Sequence, residues 1–454
     1  MRRQEEPDFH ETGVTDGGAA RGIFDGKSPP SAVLARDCVH CGFCLPACPT
    51  YVLWGKEMDS PRGRIHLIAQ GLAGHGALDR TMARHFDSCL GCLACVTACP
   101  SGVAYEPLLL ATRGQIERHV PRSPGDRWFR AALLTVLSSR PLLRVAALAG
   151  WFYQRLGVGR VLARLGVMGR LPGRLRVLVE LQPRVSLAGS FAMLPEQIRS
   201  RGPTRLRVGF LAGCVQSVFF ARVNRATVEV LAAEGCEVLV PEQAGCCGAL
   251  AAHTGADDQA RDLVCKLIRA FDDFDVDRIV VNAAGCGASL RHCDRLFEDD
   301  PVWRERAREF ACKVCDVMEL VAELQRESRS EFRAIAVERV AYHDACHLSH
   351  GQGIRAAPRQ VLARIPGLAV LEIPEGDLCC GSAGLYNLTE PEAASELGQR
   401  KAENIRRLAP EVVAAGNPGC LLQLGRHLAD DGIALVHPIE LVARSMGVPG
   451  FEPR

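Results

Sequence analysis

Two runs of cysteine near the N-terminus carry the clearest chemistry in this chain. Cys38, Cys41, Cys44 and Cys48–Pro49 read C-x2-C-x2-C-x3-C-P, and Cys89, Cys92, Cys95 and Cys99–Pro100 repeat that spacing. A cubane iron–sulfur cluster needs four thiolates at roughly tetrahedral corners. Three cysteines set three residues apart wrap one face of a cluster, and the fourth departs along a helix. In two-cluster ferredoxin spacings that fourth thiolate ligates the other cluster. The spacing therefore assigns Cys38, Cys41, Cys44 and Cys99 to one [4Fe–4S] cluster and Cys89, Cys92, Cys95 and Cys48 to a second. Gly42, Gly91 and Gly102 are candidate positions of close backbone approach, where N–H groups point at cluster sulfur. Zinc would be content with C-x2-C pairs. The third cysteine at the same interval and the C-P ending suit a cubane instead.

A second set of cysteines is duplicated further along. Cys214, Cys246–Cys247–Gly248 and Gly285–Cys286 form the first copy; Cys346, Cys379–Cys380–Gly381 and Gly419–Cys420 form the second. Adjacent cysteines chelate one small ion poorly but can hold neighbouring irons of a cluster. These thiols are read as further metal, cluster or redox sites. The alternatives are a vicinal pair cycling through a strained disulfide and plain packing at a module interface. His253, His343, His347 and His350 lie nearby and are read as hydrogen-bonded histidines of polar loops. Cys236, Cys265, Cys293, Cys312 and Cys315 fall outside both patterns and read as small buried hydrophobes.

Alternating strands and helices must position the second set. Arg207–Ala212 and Arg339–His343 read as strands before the first cysteine of each copy. Cys236–Val240 and Ala369–Ile373 lead towards each Cys–Cys–Gly, and Asp277–Asn282 and Glu411–Ala415 precede each last cysteine. Helical patterns lie between, as in Asn224–Glu234 and Pro391–Leu408. That order implies a parallel sheet in each copy, with the cysteines on loops at strand ends. Around the first set, Met58–Gln70 and Asp79–Phe86 read as helices. The expected architecture is an α+β multidomain chain. A flexible arm (1–30) precedes a two-cluster ferredoxin-type domain (31–120) and an arginine-rich helical connector (121–205). Two cysteine-rich Cys–Cys–Gly modules (206–330 and 331–454) follow.

Composition bounds the function. The chain has 454 residues, 48% hydrophobic and 23% charged, with a formal net charge of +2 and 21 cysteines. A charge near zero argues against a nucleic-acid partner. The polar stretch Met1–Asp25 has no apolar core of a secretory signal, so a reducing, cytoplasmic location is expected, where regular cysteines serve metals rather than disulfides. In the connector, Asp126, Glu180 and Glu196 are the only acids between Arg122 and Arg207. Apolar residues interleave with arginines there, as in Val161–Leu175. Val145–Tyr153 is too short to span a bilayer. One reading of this basic amphipathic pattern is a surface for the inner face of the cell membrane or an acidic partner subunit. The other is a linker packed on its own domains.

The long stretch between the two N-terminal motifs resembles the helical ferredoxin arrangement in subunits of respiratory-type enzymes. More specifically, residues 31 to about 445 resemble the iron–sulfur subunit of bacterial glycolate oxidase (glycolate dehydrogenase). The resemblance rests on Cys38–Cys48, Pro61–Arg62–Gly63–Arg64–Ile65, Cys99–Pro100–Ser101–Gly102–Val103, Gly245–Cys246–Cys247–Gly248–Ala249, Gly285–Cys286–Gly287–Ala288 and Cys379–Cys380–Gly381–Ser382–Ala383–Gly384. The modules also look like those of heterodisulfide reductase, lactate-utilisation proteins and an anaerobic glycerol-3-phosphate dehydrogenase subunit. The heterodisulfide reductase pattern ends in C-x2-C, whereas Ser289 and Gln423 stand at that position here, so a four-thiolate site or no cluster is left open. The resemblance implies an electron-transfer subunit with no catalytic residue of its own. A flavoprotein partner bearing FAD would oxidise glycolate to glyoxylate, or D-lactate to pyruvate, and a quinone-type acceptor would take the electrons. The chain agrees in having no dinucleotide fingerprint. The competing readings are a thiol/disulfide reductase acting through the Cys–Cys–Gly modules, and a non-redox metal scaffold.

Overall fold

The computed structural model describes residues 22–164, 166, 172–327 and 330–451. Residues 1–21 of the expected arm, and 165 and 167–171 of the expected helix Val161–Leu175, lie outside them. The chain is an α+β multidomain protein, with a helical N-terminal part followed by two sheets.

In the N-terminal part, Pro61–Leu72 is a helix because its start is capped twice. Ser60 Oγ accepts the Gly63 N–H at 3.0 Å, and Pro61 sits in the first turn, where its missing N–H costs nothing. Gly63 is required for close packing, since a Cβ there would meet Glu57 O at 2.0 Å. Ile65 and Ile68 from this helix pack with Phe86, Leu108 and Ile116, the last two from helix Tyr105–His119. The described end of the arm is seated on the same core. Phe24 is buried in it, and Asp25 accepts from Arg118 Nε at 3.0 Å and from the Gln115 amide at 2.8 Å.

The first sheet has β1 (Gln197–Ile198), β2 (Leu206–Leu211), β3 (Cys236–Leu239), β4 (Arg278–Val281) and β5 (Val314–Asp316), in the order β1-β3-β2-β4-β5. Only β1 pairs antiparallel. The second sheet has β6 (Arg339–His343), β7 (Ala369–Glu372), β8 (Val412–Ala415) and β9 (Ala434–Val436), all parallel, in the order β7-β6-β8-β9. Central strands such as β8 are apolar and buried along their length, as helix-covered parallel sheets require. The six strands read from the sequence are present with ends shifted by a residue or so. The short outer strands β1, β5 and β9 had no pattern long enough to announce them.

The loops after β4 and β8 meet: the Ala284 N–H donates to Gly416 O at 3.0 Å, and the Gly285 N–H to Asn417 Oδ1 at 3.3 Å. The last helix, Pro438–Ser445, sends Ile439 and Val442 into the core beneath the first sheet. The two copies therefore share apolar interior. In the connector, helices Pro124–Ser138 and Arg140–Arg155 meet at a bend of 99°, and no single helix among the described residues is long and apolar enough to cross a membrane.

Candidate metal centres

The two N-terminal cysteine loops fold into two adjoining cavities. One, of about 420 Å³, is lined by Cys38, Cys41, Cys44 and Cys99; the other, of about 300 Å³, by Cys48, Cys89 and Cys92. Cys95 borders both. In the chain path, Cys99 lies with the cysteines of the first loop and Cys48 with those of the second. All described cysteines are free thiols. A donor set of convergent thiols in compact, largely apolar cavities fits an iron–sulfur group.

Each loop bends through two left-handed residues at matching places. His40 (φ 53°) and Gly42 (φ 88°) do this in the first loop, and Gly91 (φ 63°) and Leu93 (φ 64°) in the second. Each loop has glycine at one place and a strained non-glycine residue at the other, which an L side chain adopts only under tertiary constraint. The turn aims N–H groups inward: the Gly91 N–H donates to Cys89 Sγ at 3.4 Å. Gly42 and Gly102 share the positive φ.

Two arginines brace the second cavity from within the protein. Arg64, fully buried, donates to His85 O at 2.6 Å, Ser88 Oγ at 3.0 Å and Thr50 Oγ1 at 3.2 Å; Thr50 in turn lies 3.2 Å from Cys48 Sγ. Arg113 donates to Phe86 O at 3.0 Å, to Cys89 O, and to His253 O at 2.9 Å, so it ties this cavity to the first module. Burial works to raise the Cys89 thiol, but Arg64, Arg113 and the Gly91 N–H together hold it below its ordinary value. Cys92 and Cys95, equally buried, are pushed well up. The segment Pro61–Ile65 is explained by these contacts, since Arg62 also donates to His40 O at 2.8 Å.

The cavities differ in access. Cys41 is exposed, flanked by Val39 and Phe43 at 68% and 66% exposure. The second cavity faces inward instead. Leu90 and Cys92 pack with Leu378, Cys379 and Tyr386 of the second module, and Cys346 joins them. His347 Nε2 lies 3.0 Å from Gly91 O and stacks on His253 with ring centroids 5.0 Å apart. His350 Nδ1 lies 2.9 Å from Thr97 Oγ1. These histidines thus join the N-terminal part to both modules.

Within the modules the duplicated thiols do converge. Cys214 Sγ is 3.7 Å from Cys246 Sγ, and Cys346 Sγ is 4.0 Å from Cys379 Sγ. In the first group Cys247 and Cys286 pack in one apolar cluster, and in the second Cys380 Sγ and Cys420 Sγ lie within 4.8 Å of each other. The glycine after each pair is forced by geometry. Gly248 has φ 78° and a Cβ there would lie 3.1 Å from Ala260 O; Gly381 has φ 88° and a Cβ would lie 2.5 Å from Ala394 O. Arg140 pins the first group from the connector, donating to Gly213 O and Glu242 O at 3.1 Å each and to Ala244 O at 2.5 Å.

Of the cysteines read as packing residues, Cys236, Cys293 and Cys315 are buried and Cys265 is half-buried, but Cys312 is exposed. It lies on the outer face of helix Pro301–Lys313, and its position next to buried Ala311 gave no hint of this. Sequence reasoning gave Arg64 no role beyond its place in Pro61–Ile65, passed over Arg113, Arg140 and Lys401, and set His343 aside. Laying the copies over each other on their local landmarks would have found the last two: Leu211 precedes Cys214 as His343 precedes Cys346, and Leu267 follows Ala260 as Lys401 follows Ala394.

Comparison with known families agrees with this layout. Residues 34–103 match the 4Fe-4S dicluster domain, 208–291 and 340–425 each match the cysteine-rich domain, and 125–181 match the linker region of the glycolate oxidase iron-sulfur subunit. The chain is 35% identical over 417 residues to the probable glycolate oxidase iron-sulfur subunit of Bacillus subtilis (strain 168), covering 90% of this chain and 94% of that protein. It is 33% identical over 436 residues to the glycolate oxidase iron-sulfur subunit of Escherichia coli (strain K12), covering 91% and 94%. Lactate utilization protein A of Exiguobacterium sp. is 29% identical over 235 residues, 52% of this chain. With convergent thiols at its N-terminus, two cysteine-rich modules behind them and relatives matched nearly end to end, the chain belongs to the glycolate oxidase iron–sulfur subunit family.

Proposed function

We propose that this chain is the electron-transfer subunit of a complex in which a flavoprotein partner, bearing FAD, oxidises glycolate to glyoxylate. Cys38, Cys41, Cys44 and Cys99 would hold one [4Fe–4S] cluster and Cys48, Cys89, Cys92 and Cys95 a second. When bound, these groups supply one-electron carriage, which a two-electron hydroxy-acid oxidation needs downstream of its flavin. D-Lactate is the second donor proposed for the partner.

The observation that carries this reading is the polarity of the two cavities. The first opens beside exposed Cys41, Val39 and Phe43, a small apolar face suited to docking the flavoprotein. The second is buried against Cys346, Cys379 and Tyr386, so the chain offers an entrance at one end and a way inward at the other. The acceptor we propose is a membrane quinone. Helix Arg140–Arg155 and its cap expose Val145, Leu148, Phe152 and Leu156 at helical spacing in an arginine-rich region, a face that suits peripheral contact with anionic lipid. Cosedimentation with anionic vesicles, lost in Phe152→Glu, checks that contact.

The test of the central reading uses Cys41→Ser in the assembled complex. Glycolate should still bleach the partner flavin at its normal rate, while reduction of an added quinone falls at least tenfold. Loss of flavin bleaching as well, or an unchanged quinone rate, contradicts the reading.

A further inference from the structure

We propose that the second module, and not the first, binds a divalent metal ion of borderline softness, zinc or ferrous iron, through His343, Cys380 and Cys420. A ring nitrogen of His343, Cys380 Sγ and Cys420 Sγ all lie within 4.8 Å of one another, and all three residues are buried. They come from three separate segments: His343 ends β6, Cys380 belongs to the pair that follows β7, and Cys420 lies in the first turn of helix Pro418–His427 after β8. In a tetrahedral zinc site with metal–sulfur bonds of about 2.3 Å and metal–nitrogen bonds of about 2.0–2.1 Å, donors sit roughly 3.5–3.8 Å apart. Closing the present triangle onto an ion takes a contraction of about 1.3 Å at most.

A second observation points to a ligand. His343 is 2% exposed, and its Nδ1 has no hydrogen-bond partner. A buried imidazole nitrogen without a partner is costly, and coordination removes the cost. The charge arithmetic also suits the place. Two thiolates and a neutral imidazole leave a divalent ion with no net charge. Ala341, Ala345, Leu421 and Leu424 pack in the same core as Cys380 and Cys420 and disfavour an uncompensated charge there. The Asn417 amide donates to Cys420 Sγ at 3.5 Å, an outer contact of the kind that orients a metal thiolate.

The first module is the internal control. Leu211 occupies the place of His343 and packs with Cys247 and Leu267 in an apolar cluster. Shared fold therefore does not explain the histidine. This inference extends the reading of the chain as a metal-carrying subunit, but it uses none of the N-terminal cysteines, so the two fail independently.

The experiment titrates the full chain, after brief chelation, with cobalt(II) and records the ligand-field bands alongside the EPR of the N-terminal clusters. One equivalent should give the intense bands of a tetrahedral thiolate site. Those bands should vanish in His343→Leu and in Cys420→Ser, persist in Cys286→Ser, and return with stronger sulfur charge transfer in His343→Cys. Cluster EPR should be the same in every variant. Unchanged cobalt bands in His343→Leu, or bands lost in Cys286→Ser and retained in Cys420→Ser, overturn the proposal. Should His343→Leu fail to fold, His343→Cys decides: no change in the bands rejects histidine as a ligand.

Discussion

Leu211 ends β2 in the first module; His343 ends β6 in the second, at the same distance from the first cysteine of its group. Leu267 lies on the helix behind the first Cys–Cys–Gly, and Lys401 occupies that place in the second. Leu211, Leu267 and Cys247 pack together in one apolar cluster. Lys401 is buried too, with its ammonium held by Glu375 O and Gly376 O beside Cys379 and Cys380. The thiols respond differently. In the first module Cys246 is held low by hydrogen bonds from Cys214 and Cys247, whereas in the second it is Cys380, bonded by Cys379 and Cys420. One module has thiols walled by leucine and clamped by Arg140 from the connector. The other has thiols among polar groups, pressed against the second N-terminal cavity. Duplication thus preserved the backbone that gathers four sulfurs and let the surroundings diverge, which is how one fold comes to host different chemistry.

The largest effect should come from forcing the copies to match. Leu267→Lys places an ammonium in the first module's apolar cluster, among Leu211, Cys247 and Val264. A buried unpaired charge costs about 3–5 kcal/mol, so chemical denaturation should show the first module unfolding early. The reverse exchange, Lys401→Met, should cost less, about 1–3 kcal/mol for two carbonyls left unbonded. Equal costs would mean that the two interiors are alike. Next come the glycines. Gly381→Ala should destabilise by about 2–3 kcal/mol through its left-handed backbone and its contact with Ala394, and Gly248→Ala by about 1–2 kcal/mol, since its neighbour stands farther off. Thermal unfolding would rank them, and the opposite order would break the geometric argument. Smallest is Arg140→Leu, which frees three carbonyls of the first module's cysteine loops, one of them exposed. It should lower stability by about 1–2 kcal/mol and speed alkylation of Cys214 and Cys246, leaving Cys346 and Cys379 unaffected. Equal alkylation of both groups would show that the connector clamps neither.

Much of this comparison could be read from residue order alone. The cysteine spacings, the duplication and strand β6 at Arg339–His343 follow from local pattern, because ligand spacing and apolar runs are local properties. The arginines were not legible in that way. Arg64 reaches His85 and Ser88, and Arg113 reaches His253, across sequence separations that no window spans. His40 and Leu93 carried no sign of a left-handed backbone, since their conformation is imposed by the loop that closes around them. His343 was passed over because a single histidine near a polar loop is ordinary. Its meaning appears only beside Leu211, once the two copies are laid over each other and its ring is seen next to two thiols.

The central claim is that the N-terminal thiols form an electron path serving a reaction on another chain. The direct measurement is anaerobic purification of the complex, a count of iron and acid-labile sulfide, and EPR before and after addition of glycolate. The account predicts about eight irons and eight sulfides in the N-terminal domain. It also predicts reduced-cluster signals that appear with glycolate only when the flavoprotein is present. Zinc without sulfide, or signals that appear with glycolate and the isolated chain, would contradict it.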